Sequence, residues 1–174
     1  MGQYYNVAVI SKDRKLFLNR DVNGEYTVAK LMEHSWWKNP FVNTVNSFIY
    51  KTPSQVAWVG DYAETSEYYE DLWGENEKTQ GVTENQLSLD GKYLCNHDTK
   101  EYVDCDDYYK KSVDDYGWCI HPLPLLTCIG NKSGGGDYYS SVGEEYVGSW
   151  YNNIISIEDD IPEGYEKLDL RFAE

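Results

Sequence analysis

The sequence predicts an α+β fold: a mainly antiparallel sheet with hairpins and two packed helices, in a single domain over residues 1–174. Three observations predict it. Aromatic and branched runs face each other across short turns near both 12–14 and 97–100, as strands of a hairpin do. Helical periodicity is concentrated in one stretch, 27–51. No alternating strand–helix series follows, which removes a doubly wound parallel sheet.

The elements run as follows. "QYYNVAVIS" and "KLFLNR" read as strands, with "KDR" as the turn between them. "DVNGE" is a second turn. "TVAKLMEHSWW" reads as a helix capped by Thr27, with Val28, Leu31 and Met32 on one face. "NPFVNTVNSFIYK" reads as another. Asn39 caps it, Pro40 takes the first helical position, and Phe41, Val42, Val45, Phe48 and Ile49 form the apolar stripe. "QVAWVGDYA" is a buried strand ending at Gly60-Asp61. "TSEYYEDLWGENEKTQ" reads as a short helix plus loop, and "KYLCNHDTKEYVDC" as a hairpin with "HDTK" at its tip. "DDYYKKSVDDYG" is a polar helix or an irregular segment. "CIHPLPLLTCIG" is expected to be extended, because a residue before proline is pushed away from the helical region. "NIISIED" closes the sheet, and "IPEGYEKL" is a turn-rich exit.

Charge narrows the function. The net charge is −15, unevenly spread: residues 1–60 carry +3 and the remainder −18. A nucleic-acid binder needs the opposite sign, since neutralising phosphates with Lys and Arg supplies most of its affinity. Direct nucleic-acid binding and anionic membranes are excluded on that ground. A basic protein surface, or a cation, is the compatible partner. Aromatic residues make up 16% of the chain, too many for a disordered one. The start "MGQYYNVAVISKDRK" has no basic segment ahead of an apolar run, so a cytoplasmic location is expected, with Cys95, Cys105, Cys119 and Cys128 reduced.

Three constellations could carry chemistry. The first is "GNKSGGGDYY". A phosphate loop needs Gly-Lys-Ser/Thr after four intervening residues, but Gly135 is followed by Gly136 and Asp137. No amphipathic helix follows to hold a pyrophosphate. The stretch reads as a loop between strands, or as a ligand contact made by Gly134, Gly135, Gly136, Asp137 and Tyr138, gathered with Asp61 and His121. The second is a repeated Cys-x-His, at Cys95/His97 and Cys119/His121. Zinc sites use Cys-x-x-Cys turns, which are absent, and buried thiols explain the same residues, so no metal or other cofactor is expected. His34 reads as a cap near a helix end. No serine sits in a nucleophile elbow, so no catalytic residue is assigned.

The third is the acidic surface. Asp61, Glu64, Glu67, Glu70 and Asp71 are interleaved with Tyr68, Tyr69 and Trp73. A second run, 98–115, brings Asp106 and Asp107 among Tyr102, Tyr108 and Tyr109. Such carboxylates can occupy a basic nucleic-acid groove while the rings anchor the contact. Alternatively the rings pack inward and the charges are merely solvated.

"MGQYYNVAV", "KLMEHSWW", "VAWVGDYA", "YLCNHDTKEYVD", "IHPLPLLTCIGNKSGGGDYY" and "VGSWYNNIISIED" in this order resemble uncharacterised small acidic proteins of bacteriophages and mobile elements. That resemblance carries no assigned activity and transfers no site residue. It implies a setting, the host cell cytoplasm, in which small acidic proteins inhibit host nucleases. The expectation is therefore a non-catalytic inhibitor of a basic, nucleic-acid-handling defence protein, of anti-CRISPR or anti-restriction type. A small-molecule or nucleotide-binding protein or hydrolase, with its site near Gly134–Asp137, is the alternative.

Overall fold

A computed structural model describes residues 2–18, 20–22, 25–27, 29–64, 79–80, 84–130, 137–140 and 142–173. In chain order its elements are β1 (Tyr5–Ser11), β2 (Arg14–Leu18), β3 (Arg20–Val22), β4 (Glu25–Thr27), α1 (Leu31–His34), α2 (Pro40–Ile49), β5 (Ser54–Gly60), β6 (Thr79–Gln80), β7 (Tyr93–Asn96), β8 (Glu101–Asp104), α3 (Cys105–Ser112), α4 (Pro122–Thr127), β9 (Cys128–Ile129), β10 (Ile154–Glu158) and β11 (Glu166–Lys167). The fold is α+β, as the sequence predicts. Among the described residues no helix is long and apolar enough to cross a membrane.

The main sheet runs β11-β8-β7-β10-β5-β1-β2-β6, with β9 attached to β5. Three short pairs are parallel (β8–β11, β2–β6 and β5–β9); the other pairs are antiparallel. Strand alternation sorts side chains onto two faces. Val7 and Val9 of β1, Leu16 and Leu18 of β2, and Val56 and Trp58 of β5 all enter the main core. Their neighbours Ala8, Phe17, Ala57 and Val59 form a second, smaller cluster. The register agrees: Ala8 lies opposite both Phe17 and Ala57, and Val7 opposite Leu18 and Trp58. Slipping β1 by one residue would exchange the two sets, so burial of both faces fixes the register.

Helices cover the main face. Four residues of the predicted stripe, Phe41, Val42, Val45 and Ile49 of α2, are buried there, and Phe48 is half-buried against the core. Asn39 Oδ1 accepts from the Phe41 and Val42 amides at 2.9 and 3.3 Å, and Pro40 occupies the first position. The hairpins at 5–18 and 93–104 also form where expected.

Two expectations are corrected. The first helix is a single turn, α1, beginning after Lys30 rather than Thr27. Thr27 pairs with Arg20 in the β3–β4 hairpin, and the Tyr5 amide donates to the Ala29 carbonyl at 3.0 Å, so strand contacts claim the backbone there. The turn's far end is fixed by β-type contacts as well: His121 N donates to Ser35 O at 2.7 Å. The segment after His121 is helical, not extended. All six side chains of α4 are buried, and both prolines fall in its first turn, where a missing N–H costs no intrahelical bond. The pre-proline restriction holds at His121, which stays extended as the cap. The expected helix plus loop at 65–80 lies largely outside the described residues; its last two residues form β6.

Candidate functional site

The turn after α3 projects from this frame. Asp104 caps the helix, accepting from Asp107 N at 3.1 Å, and Lys110 and Lys111 sit in its last turn, opposite the helix dipole's negative end. Tyr108 is fully buried and donates to the Ile120 carbonyl at 2.9 Å, which pins α3 to the chain that returns through Ile120. Between them, Asp114–Trp118 closes on itself. Asp114 Oδ1 accepts from the amides of Tyr116 and Trp118 at 2.9 and 2.7 Å. The Asp114 amide donates to the Trp118 carbonyl at 2.9 Å, and Gly117 N donates to the Asp114 carbonyl at 3.1 Å. Gly117 adopts φ +81°, a left-handed geometry that a side chain resists. At the apex Tyr116 is 96% exposed, flanked by exposed Asp115. This tyrosine escaped the sequence reading, although Asp-x-x-Gly is a turn signature that could have found it.

Of the acidic residues read as a binding face, Asp61, Glu64, Asp106 and Asp107 lie in the described part. Glu67, Tyr68, Tyr69, Glu70, Asp71 and Trp73 lie outside it. Asp61 and Glu64 are exposed, beside Tyr62 at 49% and Tyr4 at 39% exposure. Asp61 also closes the β1–β5 end: its Oδ1 accepts from Tyr4 N at 3.1 Å. Asp106 is exposed and accepts from Gly91 N at 2.9 Å. Asp107 is neutralised by Lys111 and Lys167, each at 2.8 Å, and these two ammonium groups hold its carboxyl down at about 2.

Of the residues read as a ligand site, Gly134, Gly135 and Gly136 lie outside the described residues. Asp137 is buried and accepts from the Tyr5 hydroxyl at 2.9 Å. Burial, with the Asp137 charge beside it, raises the Tyr5 phenol above its ordinary range. Tyr138 is buried with its ring against Phe172. His121 is fully buried; its Nδ1 accepts from Leu123 N at 3.1 Å and Trp37 packs beside it. In these contacts Asp61, Asp137 and His121 have different partners.

The remaining reactive side chains are committed internally. His34 sits between Lys30 O and the Trp58 indole N–H, which donates to its Nε2 at 2.9 Å. His97 Nδ1 meets the Tyr165 hydroxyl and its Nε2 meets Ser156 Oγ, both at 2.7 Å, while Ser156 donates to Glu158 at 2.7 Å. The serine lies in the middle of that chain and its proton already faces a carboxylate. His97 therefore donates to it rather than activating it, unlike the order a nucleophilic triad needs. Cys95, Cys105, Cys119 and Cys128 are buried free thiols, and burial raises Cys95 and Cys119 to about 12. Neither Cys-x-His pair belongs to a metal-sized group: among the described residues no three His, Cys, Asp or Glu cluster to hold an ion.

Compared with protein-family models, curated proteins and solved structures, the chain matches none.

Proposed function

We propose that this protein is a non-catalytic binding protein that docks an acidic, tyrosine-bearing surface onto a basic protein partner. The observation that carries this reading is Tyr116. A large ring with a polar tip stands almost wholly in solvent on a turn whose backbone is already ordered by Asp114. Tyrosine is among the side chains that anchor interfaces, and an anchor ordered before binding loses less entropy on docking. The negative charge concentrated after residue 60, with exposed Asp61, Glu64, Asp106 and Asp115, supplies steering toward a cationic face. The buried thiols, with His34 and His121 buried and His97 tied to Tyr165 and Ser156, support a role without chemistry.

The partner is a nucleic-acid-handling enzyme whose groove the carboxylates fill in place of phosphates. The phage setting implied by the segment order makes CRISPR and restriction nucleases the first partners to test. Affinity capture from a bacterial host lysate, at about 50 mM and about 300 mM salt, provides the test. A partner should be retained at low salt and released at high salt. It should be lost with Tyr116→Ala and with the double variant Asp61→Lys, Glu64→Lys. Nucleic acid should compete with the protein for the purified partner. Retention by both variants, or no competition, would sink the reading.

A further inference from the structure

A cleft of 260 Å³ opens beside the same turn, between the end of α3, the 113–118 turn and the C-terminal segment. Its apolar lining is Val113, Trp118, Ile120, Phe172 and Ala173; its charged lining includes Asp115 and Arg171. The segment carrying Arg171 is held firmly. Phe172 is buried and its amide donates to Ser112 Oγ at 3.2 Å, while Val142 bridges Ala173. Gly143, at φ +84°, packs so closely on the Arg171 carbonyl that a Cβ has no room there.

The charges in the cleft are unequally occupied. Lys111 is taken by Asp107 and Asp169, and Asp114 by the turn's amides. Among the described residues the Arg171 guanidinium and the Asp115 carboxylate have no hydrogen-bond or ion-pair partner, although they line the same cleft. They are not paired with each other either. One free cation, one free anion and an apolar floor in a small cavity match a zwitterion with an apolar side chain. The volume is below the roughly 300 Å³ at which clefts for drug-sized ligands begin, so the occupant is small.

We infer that this cleft binds a free α-amino acid with an apolar side chain. The ligand carboxylate takes Arg171, whose planar fork suits two parallel hydrogen bonds. The ammonium takes Asp115, and the side chain lies on Trp118, Ile120 and Phe172. Exposed ion pairs contribute little by themselves, so the apolar contact supplies the affinity and the two charges select the zwitterion.

This inference shares Asp115 with the docking reading but is tested without the partner protein. Tyr116→Ala, which tests docking, leaves the cleft lining untouched. The test of the cleft is isothermal titration and thermal shift with L-leucine and L-phenylalanine, beside N-acetyl-L-leucine and L-leucinamide. The two zwitterions should bind saturably and raise the melting temperature. The acetylated and amidated forms should each bind about two- to fivefold more weakly. Arg171→Gln and Asp115→Asn should each cause a similar loss while leaving the ligand-free melting temperature in place, because both side chains are exposed and unpaired. No heat and no shift at about 10 mM of either amino acid would overturn the assignment. So would equal affinity for leucine and its two blocked forms, or wild-type affinity in both variants.

Discussion

His121 shows how a residue suited to chemistry serves structure instead. It precedes Pro122, accepts the Leu123 amide, and lies fully buried under Trp37. Burial pushes its imidazolium down from 6.5 to about 3, and His97 is also lowered, chiefly by desolvation. Both groups thus bind a proton more weakly in the folded chain than in the unfolded one. Below about pH 6.5 the unfolded state takes up protons that the folded state refuses, so stability falls as pH falls. For His121 the loss runs to about pH 3, at up to roughly 1.4 kcal/mol per pH unit. Urea unfolding at pH 7, 6 and 5 should show this decline. His121→Asn replaces the capping Nδ1 with an amide oxygen acceptor and should make the decline shallower; an unchanged slope would contradict the assignment. The sequence placed His121 in a candidate ligand site because residue type alone says nothing of burial. The His-Pro pair, a cap followed by a first-turn proline, was the signal available.

The helices separate what local chemistry specifies from what it leaves open. In α2 the Asn39 cap, Pro40 and the apolar stripe all agree, and the helix forms as read. Asn39 is buried and accepts from two amides, so Asn39→Ala leaves both without that partner. The expected cost is about 1–2 kcal/mol. A thermal melt followed by circular dichroism should drop by roughly 2–8 °C, while Asn39→Asp should stay close to wild type. A loss as large in Asn39→Asp as in Asn39→Ala would show that packing of the asparagine, not the cap, stabilises the helix. In contrast, α4 shows no polar–apolar period, because every one of its side chains is buried. With no exposed face to mark it, "PLPLLT" reads equally well as an extended segment. α1 stops after four residues because strand-type contacts flank it on both sides.

Across the whole molecule, charge is the dominant long-range term. A net charge of −15 at pH 7 repels itself in the compact state. The ion pairs that oppose this, at Asp107 and Asp159, lie at the surface, where each contributes little. Added salt screens both, and repulsion is the larger of the two. Raising NaCl from about 10 mM to about 100 mM shortens the screening length from about 30 Å to about 10 Å. The melting temperature should therefore rise across that range. A fall would mean that the surface pairs outweigh the repulsion. The sign and placement of this charge, the two hairpins, α2 and its cap were all legible from neighbouring residues, because turns, caps and periodicity act over a few positions. Which rings face solvent was not legible. Tyr108 and Tyr116 sit in one polar stretch, yet the first reaches inward to Ile120 and the second stands clear on the Asp114 turn. Nor could the chain order announce that Arg171 and Asp115 share a cleft. Burial and pairing of that kind depend on segments distant in sequence that meet only when α3, Ile120 and the C-terminal segment pack together.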